Sequence, residues 1–97
     1  MKITGIIWLD DVVDKLSWKH KVTTTEIEQV LSRNPRIAFK EKAKQNPDEN
    51  LYVALGTTEA GRYLFVLFIL KSHQRALILT ARDMTMSEKK YYDKKRN

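Results

Sequence analysis

Residues 62–83 read RYLFVLFILKSHQRALILTARD, and this stretch decides the fold. Tyr63 to Leu70 is an unbroken run of eight apolar residues. A membrane helix needs roughly 20. Eight is the length of a strand buried on both faces. Lys71-Ser72-His73-Gln74 is a short polar connector, so Ala76 to Ala81 folds back as an antiparallel neighbour. The second strand then delivers Arg82 and Asp83 where the apolar pattern stops. Charges at the mouth of a rigid hairpin suit a site, and they also suit a plain solvated strand end.

Outside this stretch, Ile3 to Trp8 reads as a first strand, with Gly5 marking a bulge or an edge. Asp10 is a candidate cap for an amphipathic helix over 11–20, whose stripe is Leu9, Val12, Val13 and Leu16. His20 falls at the edge of that stripe, as either a packed or capping residue or a proton-transfer group. Thr23 and Glu26 form the capping box of a second helix with Ile27, Val30 and Leu31 on its buried face. Asn34-Pro35 stops it. Arg36 to Lys40 alternates as a half-buried strand with Ile37 and Phe39 inward. A polar loop over 41–50 contains the turn signal Asn46-Pro47-Asp48. Leu51 to Leu55 is the next strand, and Gly61 is free to take positive φ in the turn that follows. Thr85 or Ser87 caps a last helix from Glu88 to about Lys95, polar apart from Met86, Tyr91 and Tyr92. The order β-α-α-β-β-β-β-α gives an α+β domain over 1–97, an antiparallel sheet with two N-terminal helices on one face and a C-terminal helix.

Composition narrows the function. The 97 residues carry 18 Lys and Arg against 12 Asp and Glu, a net +6, which favours nucleic acid or an acidic partner. Half of that excess lies in residues 82–97. There is no cysteine, no signal peptide pattern, no Gly-rich phosphate loop and no paired-histidine motif, so a cytoplasmic protein without metal or cofactor is expected. No stretch is both basic and strongly apolar, as a membrane-surface helix would be.

Three motifs, in order, resemble the BrnT toxin family. Trp8 with Lys19-His20, Val22-Thr23 and an acidic helix start is similar to its opening pattern. Leu55-Gly56-Thr57 through Gly61-Arg62-Tyr63-Leu64 is similar to its central hairpin. Thr80-Ala81-Arg82-Asp83-Met84-Thr85 with Glu88 and Tyr92 is similar to its closing signature. Lys21 stands where the family usually has glycine, which would alter the turn, and Thr80 where it has serine. The resemblance implies a RelE-like fold and a small ribonuclease toxin of a type II toxin–antitoxin system. Its partner would be a small acidic antitoxin with a DNA-binding ribbon-helix-helix segment, in a complex that can be oligomeric.

The chemistry of such a site can be stated from residue types. RNA is cut without a metal when its own 2′-hydroxyl attacks the adjacent phosphorus. A base takes the proton, cations hold the phosphoryl charge and an acid serves the leaving group. His20 is a candidate base or acid, and Arg62 and Arg82 are candidate phosphate ligands. Glu88 is a candidate base or a partner that orients Arg82. Tyr92 is a candidate proton donor or base-stacking ring. Lys19, Lys21 and Lys89 are candidate contacts for the RNA backbone. These five catalytic candidates are expected to converge at one pole of the sheet. The runner-up function is a catalytically inactive module that docks a nucleic acid or an acidic protein.

Overall fold

The computed structural model describes residues 1–44 and 48–96, with side chains to Lys94 apart from that gap. Asn46 and Pro47 of the expected turn signal lie outside the described residues. Five strands form one sheet: β1 (Gly5–Ile7), β2 (Arg36–Lys42), β3 (Asn50–Thr57), β4 (Tyr63–Lys71) and β5 (Arg75–Asp83), in the spatial order β1-β5-β4-β3-β2. β2 to β5 pair antiparallel, as short connections dictate. β1 departs from the expected antiparallel sheet. It is shorter than the expected strand, lies at an edge, and runs parallel to β5, with Ile6 opposite Ala76. The two helices that separate β1 from the meander supply the crossover that a parallel neighbour needs.

β4 is the middle strand, yet it is not sealed on both faces. Leu64, Val66 and Phe68 are fully buried, while Tyr63, Phe65, Leu67 and Ile69 are only half-buried. One face of the sheet is covered by Leu16, Val22, Ile27 and Val30 from the helical layer. The other carries a smaller cluster, Leu55, Met84 and Tyr92, with Val53, Tyr63 and Phe65 against it. Its cover is α3 (Met86–Arg96), too polar to seal the whole face. Only Tyr92 of the expected aromatic and Met contacts of α3 is buried; Met86 and Tyr91 are exposed.

The first helix differs from the expected 11–20 segment. α1 (Asp10–Lys15) passes into a π-helical segment, Leu16–His20. Leu9 occupies the N-cap and no side chain caps it, so Asp10 serves as a first-turn acid facing the helix dipole. Lys21 ends the π segment in the left-handed conformation, φ 56° and ψ 39°. The expected altered turn is therefore a glycine-type turn adopted by lysine. Its amide and that of Val22 both donate to the Leu16 carbonyl, the Val22 bond at 3.0 Å. This closes the turn and drops Val22 into the core. α2 (Thr24–Ser32) starts with the expected capping box at Thr23 and Glu26.

Two further strand expectations change. β2 extends to Lys42, and Phe39 on this edge strand is 56% exposed, its ring edge-on to Tyr52 at 6.0 Å rather than enclosed by the core. Arg82 and Asp83 close β5, as expected. Phe68 pairs with Ile78 but Leu67 pairs with Thr80, so Leu79 is an extra residue, a β-bulge. A bulge flips the facing of everything after it. Ala76 and Ile78 face the helical layer before it, and Ala81 after it. Arg82 is thereby turned to the α3 face.

Candidate active site at one end of the sheet

The hairpin places Arg62 and Arg82 at the same end of the sheet, since Leu64 pairs with Asp83 and Phe65 with Arg82. It does not place them on the same face. The expected single cluster is instead two groups, one on each side of the sheet end.

Arg62 belongs to the helical side. Thr58, buried to 2%, shapes its turn: the Thr58 hydroxyl accepts from the Arg62 amide at 3.0 Å. The intervening Gly61 takes φ +89°, the conformation only glycine adopts freely. The Arg62 guanidinium then reaches three separate pieces of chain. Nε donates to Asp83 Oδ1 at 2.8 Å, and Nη1 donates to the Glu26 carboxylate at 3.1 and 3.2 Å. Nη1 also donates to the Lys21 carbonyl at 2.7 Å, and Nη2 to the His20 carbonyl at 3.3 Å. Asp83 is held below the usual carboxylate range, chiefly by the Arg62 hydrogen bond. Burial alone would raise Glu26, but the Thr23 amide and Arg62 outweigh it and the carboxyl is lowered. The Asp83 hydrogen bond, and then Glu26, raise Arg62 against its own burial. Two carboxylates already neutralise this guanidinium, and most of its donors are occupied. It acts as a staple for the π turn. His20 is half-buried at the end of that turn, and Lys19 and Lys21 are exposed beside it.

Arg82 belongs to the α3 side. Nη1 and Nη2 donate to the two Glu88 oxygens at 2.8 and 3.0 Å, a bidentate pair. Nη1 also donates to the Asp83 carbonyl at 3.0 Å. The guanidinium lies 3.9 Å over the Phe65 ring. Glu88 in turn caps α3: its carboxylate accepts from the Thr85 amide at 2.8 Å, and its own amide donates to the Thr85 hydroxyl at 3.2 Å. Thr85, not Ser87, is therefore the cap. The Arg82 hydrogen bond is the main cause that lowers Glu88, and the reciprocal bond raises Arg82. The Arg82 side chain keeps 36% of its surface exposed. The Lys89 ammonium lies 5.5 Å from the Tyr63 ring. Tyr92 is 4% exposed and packs edge-to-face on Tyr63 at 5.8 Å, so its ring supports the site from below and presents no face on which a base could stack.

The two groups share one design. Each takes an arginine from the end of the β4–β5 hairpin and pairs it with the glutamate of a Thr-x-x-Glu capping box. Sequence reasoning found all four charged residues but not the pairing of Arg62 with Glu26 and Asp83, nor Phe65 beneath Arg82. Alternation along β4 carried that signal: Arg62 shares parity with buried Leu64, and Phe65 does not. Among the described residues, no group of three or more His, Cys, Asp or Glu is placed to hold a metal ion. No helix among them is long and apolar enough to cross a membrane.

Fold and site define a small basic α+β protein with cationic groups gathered at one end of a mostly antiparallel sheet. The family model for BrnT, the ribonuclease toxin of type II toxin–antitoxin systems, matches residues 10–88, and the chain belongs to that family. The match includes His20, Arg62, Arg82 and Glu88, and ends before Tyr92. No curated protein matches the chain.

Proposed function

We propose that this chain is a metal-independent endoribonuclease that cleaves messenger RNA and so stops translation in the cytoplasm. The observation that carries the reading is the partly exposed Arg82–Glu88 pair, with the Arg82 guanidinium stacked on Phe65. An RNA phosphate competes with Glu88 for the Arg82 fork, because both are oxyanions that suit bidentate donors. Displacement leaves Glu88 beside the phosphate as a carboxylate able to accept the 2′-hydroxyl proton. The 2′-oxygen bonds to phosphorus, the bond to the 5′-oxygen breaks, and the leaving oxygen takes a proton from His20. Arg82 stabilises the added charge on the phosphoryl oxygens. Lys19, Lys21 and Lys89 hold the RNA backbone as it crosses the sheet end from one face to the other. Arg62 and Tyr92 position the His20 turn and α3.

The partner in this reading is a small acidic antitoxin with a ribbon-helix-helix segment, bound within an oligomeric complex and drawn to the +6 charge in a salt-sensitive way. The domain spans 1–97 and takes the RelE-like arrangement. Purified protein incubated with RNA in excess chelator tests the chemistry. The expected products carry 2′,3′-cyclic phosphate and 5′-hydroxyl ends. Cleavage that stops in chelator and returns with added metal would overturn metal independence. No cleavage under any condition would leave the binding module as the function, a reading favoured by carboxylates already occupying both arginines.

A further inference from the structure

We propose that Trp18 is a stacking platform for one base of a single-stranded RNA substrate, a role that rests on the ribonuclease reading above. Trp18 is 66% exposed, on the solvent side of the π segment whose other side buries Leu16. An indole is a large apolar surface, and proteins usually cover most of it. Here its sequence neighbours Ser17 and Lys19 are exposed and polar, and one turn back lie exposed Lys15 and Asp14, so lysines flank the ring on both sides with a single acid beside it. No acid occurs between Asp14 and Glu26, and Glu26 is neutralised by Arg62. A single exposed aromatic set among lysines is the arrangement that binds unpaired nucleotides: the ring takes a base and the ammonium groups take the flanking phosphates. A protein partner would need a broader apolar patch around the ring.

The platform is also held rigidly. Arg62 binds the carbonyls of His20 and Lys21, and the Val22 amide closes the turn on Leu16. Trp18 is two residues from His20 on this clamped turn. A base stacked there directs the neighbouring backbone toward the end of the sheet, and little ordering is left to be done on binding.

The chain has two tryptophans, Trp8 and Trp18, so Trp8→Phe leaves Trp18 as the sole indole reporter. That variant is titrated with a 2′-O-methyl oligonucleotide, which has no free attacking hydroxyl, and binding is followed in parallel by anisotropy of a labelled strand. Saturable quenching of Trp18 is expected. Trp18→Ala is expected to weaken binding about tenfold, with Trp18→Phe keeping most of it and the melting temperature unchanged. On cleavable RNA the same alanine variant raises KM and leaves kcat in place. Anisotropy that reports full binding with unmoved Trp18 emission and no effect of Trp18→Ala overturns the platform while the ribonuclease reading stands. Emission that responds to the acidic antitoxin and never to the oligonucleotide overturns it in favour of a protein contact. Absence of both RNA binding and cleavage removes the ribonuclease reading and this inference together.

Discussion

Arg62→Ala separates a staple from a phosphate ligand. The wild-type side chain is 26% exposed and joins Glu26, Asp83 and the His20 and Lys21 carbonyls. Hydrogen bonds involving a charged partner contribute about 1.5–3 kcal/mol each when shielded. Asp83 is 66% exposed, so its share is at most about 1 kcal/mol. Water reclaims the carbonyls in the variant, and the loss comes to about 3 kcal/mol. In a domain of this size 1 kcal/mol moves the melting temperature by about 4–8 °C, so a fall of about 12–24 °C is expected. Acid should blunt the difference. Glu26 and Asp83 are both lowered from ordinary values of 4.5 and 3.8. Their contribution is present above those values and is lost as pH falls through the lowered folded-state ones. Melts of both proteins between pH 7 and pH 3 should therefore converge at the acid end, at roughly the range where carboxylates titrate. RNA cleavage is then measured well below the variant's melting point, where a modest loss is expected from the loosened His20 turn. An unchanged melting temperature with cleavage lost about a hundredfold would refute the staple and make Arg62 a direct phosphate ligand.

Arg82→Ala should behave in the opposite way: roughly a hundredfold loss of cleavage, about 3 kcal/mol at the transition state, with a stability change under about 1 kcal/mol because the pair is partly exposed. Melting and single-turnover cleavage of that variant check both halves, and intact cleavage would return Arg82 to a purely structural pairing with Glu88. Lys21→Gly should stabilise the protein by about 0.5 kcal/mol, since relief of the left-handed strain is partly offset by the extra freedom of glycine when unfolded. A chemical denaturation midpoint that falls instead would show that the lysine side chain itself holds the turn.

The hairpin, the Thr23–Glu26 capping box and the Asn34-Pro35 stop were legible because each is a local signal with a fixed period or spacing, whereas the sequence alone does not choose between Thr85 and Ser87 for the cap of α3. The run Tyr63 to Leu70 marked a core strand, but having no alternation it could not show that Leu64, Val66 and Phe68 are sealed and their neighbours only half-buried. The parallel docking of β1 was not legible, because nothing local links Ile6 to Ala76. The π segment was hidden because a stripe of Leu9, Val12, Val13 and Leu16 fits an ordinary helix up to the residue where the backbone widens. The division of the site follows from one residue. Without the bulge at Leu79, the even positions Ala76 and Ile78 would carry Arg82 to the helical side, beside Arg62. An apolar run such as Leu77-Ile78-Leu79 gives no sign of which residue will be the extra one.

The parallel pairing of β1 with β5 sets an order in time. A chain made from its N-terminus presents Gly5–Ile7 first and the partner segment Arg75–Leu77 long afterwards. Local hairpins form before pairings that close long loops, so β2 to β5 assemble ahead of the β1 junction. Until β4 and β5 emerge, Leu16, Val22, Ile27 and Val30 have no sheet to cover. Arg82, Asp83 and Glu88 follow β4 in the chain and arrive after it. A nascent chain halted before Arg75 therefore lacks the edge partner, the mate of one arginine and the whole of the other pair. The charged end of the sheet, with both of its arginine pairs, is completed only after β5 and the start of α3 have joined the strands that precede them.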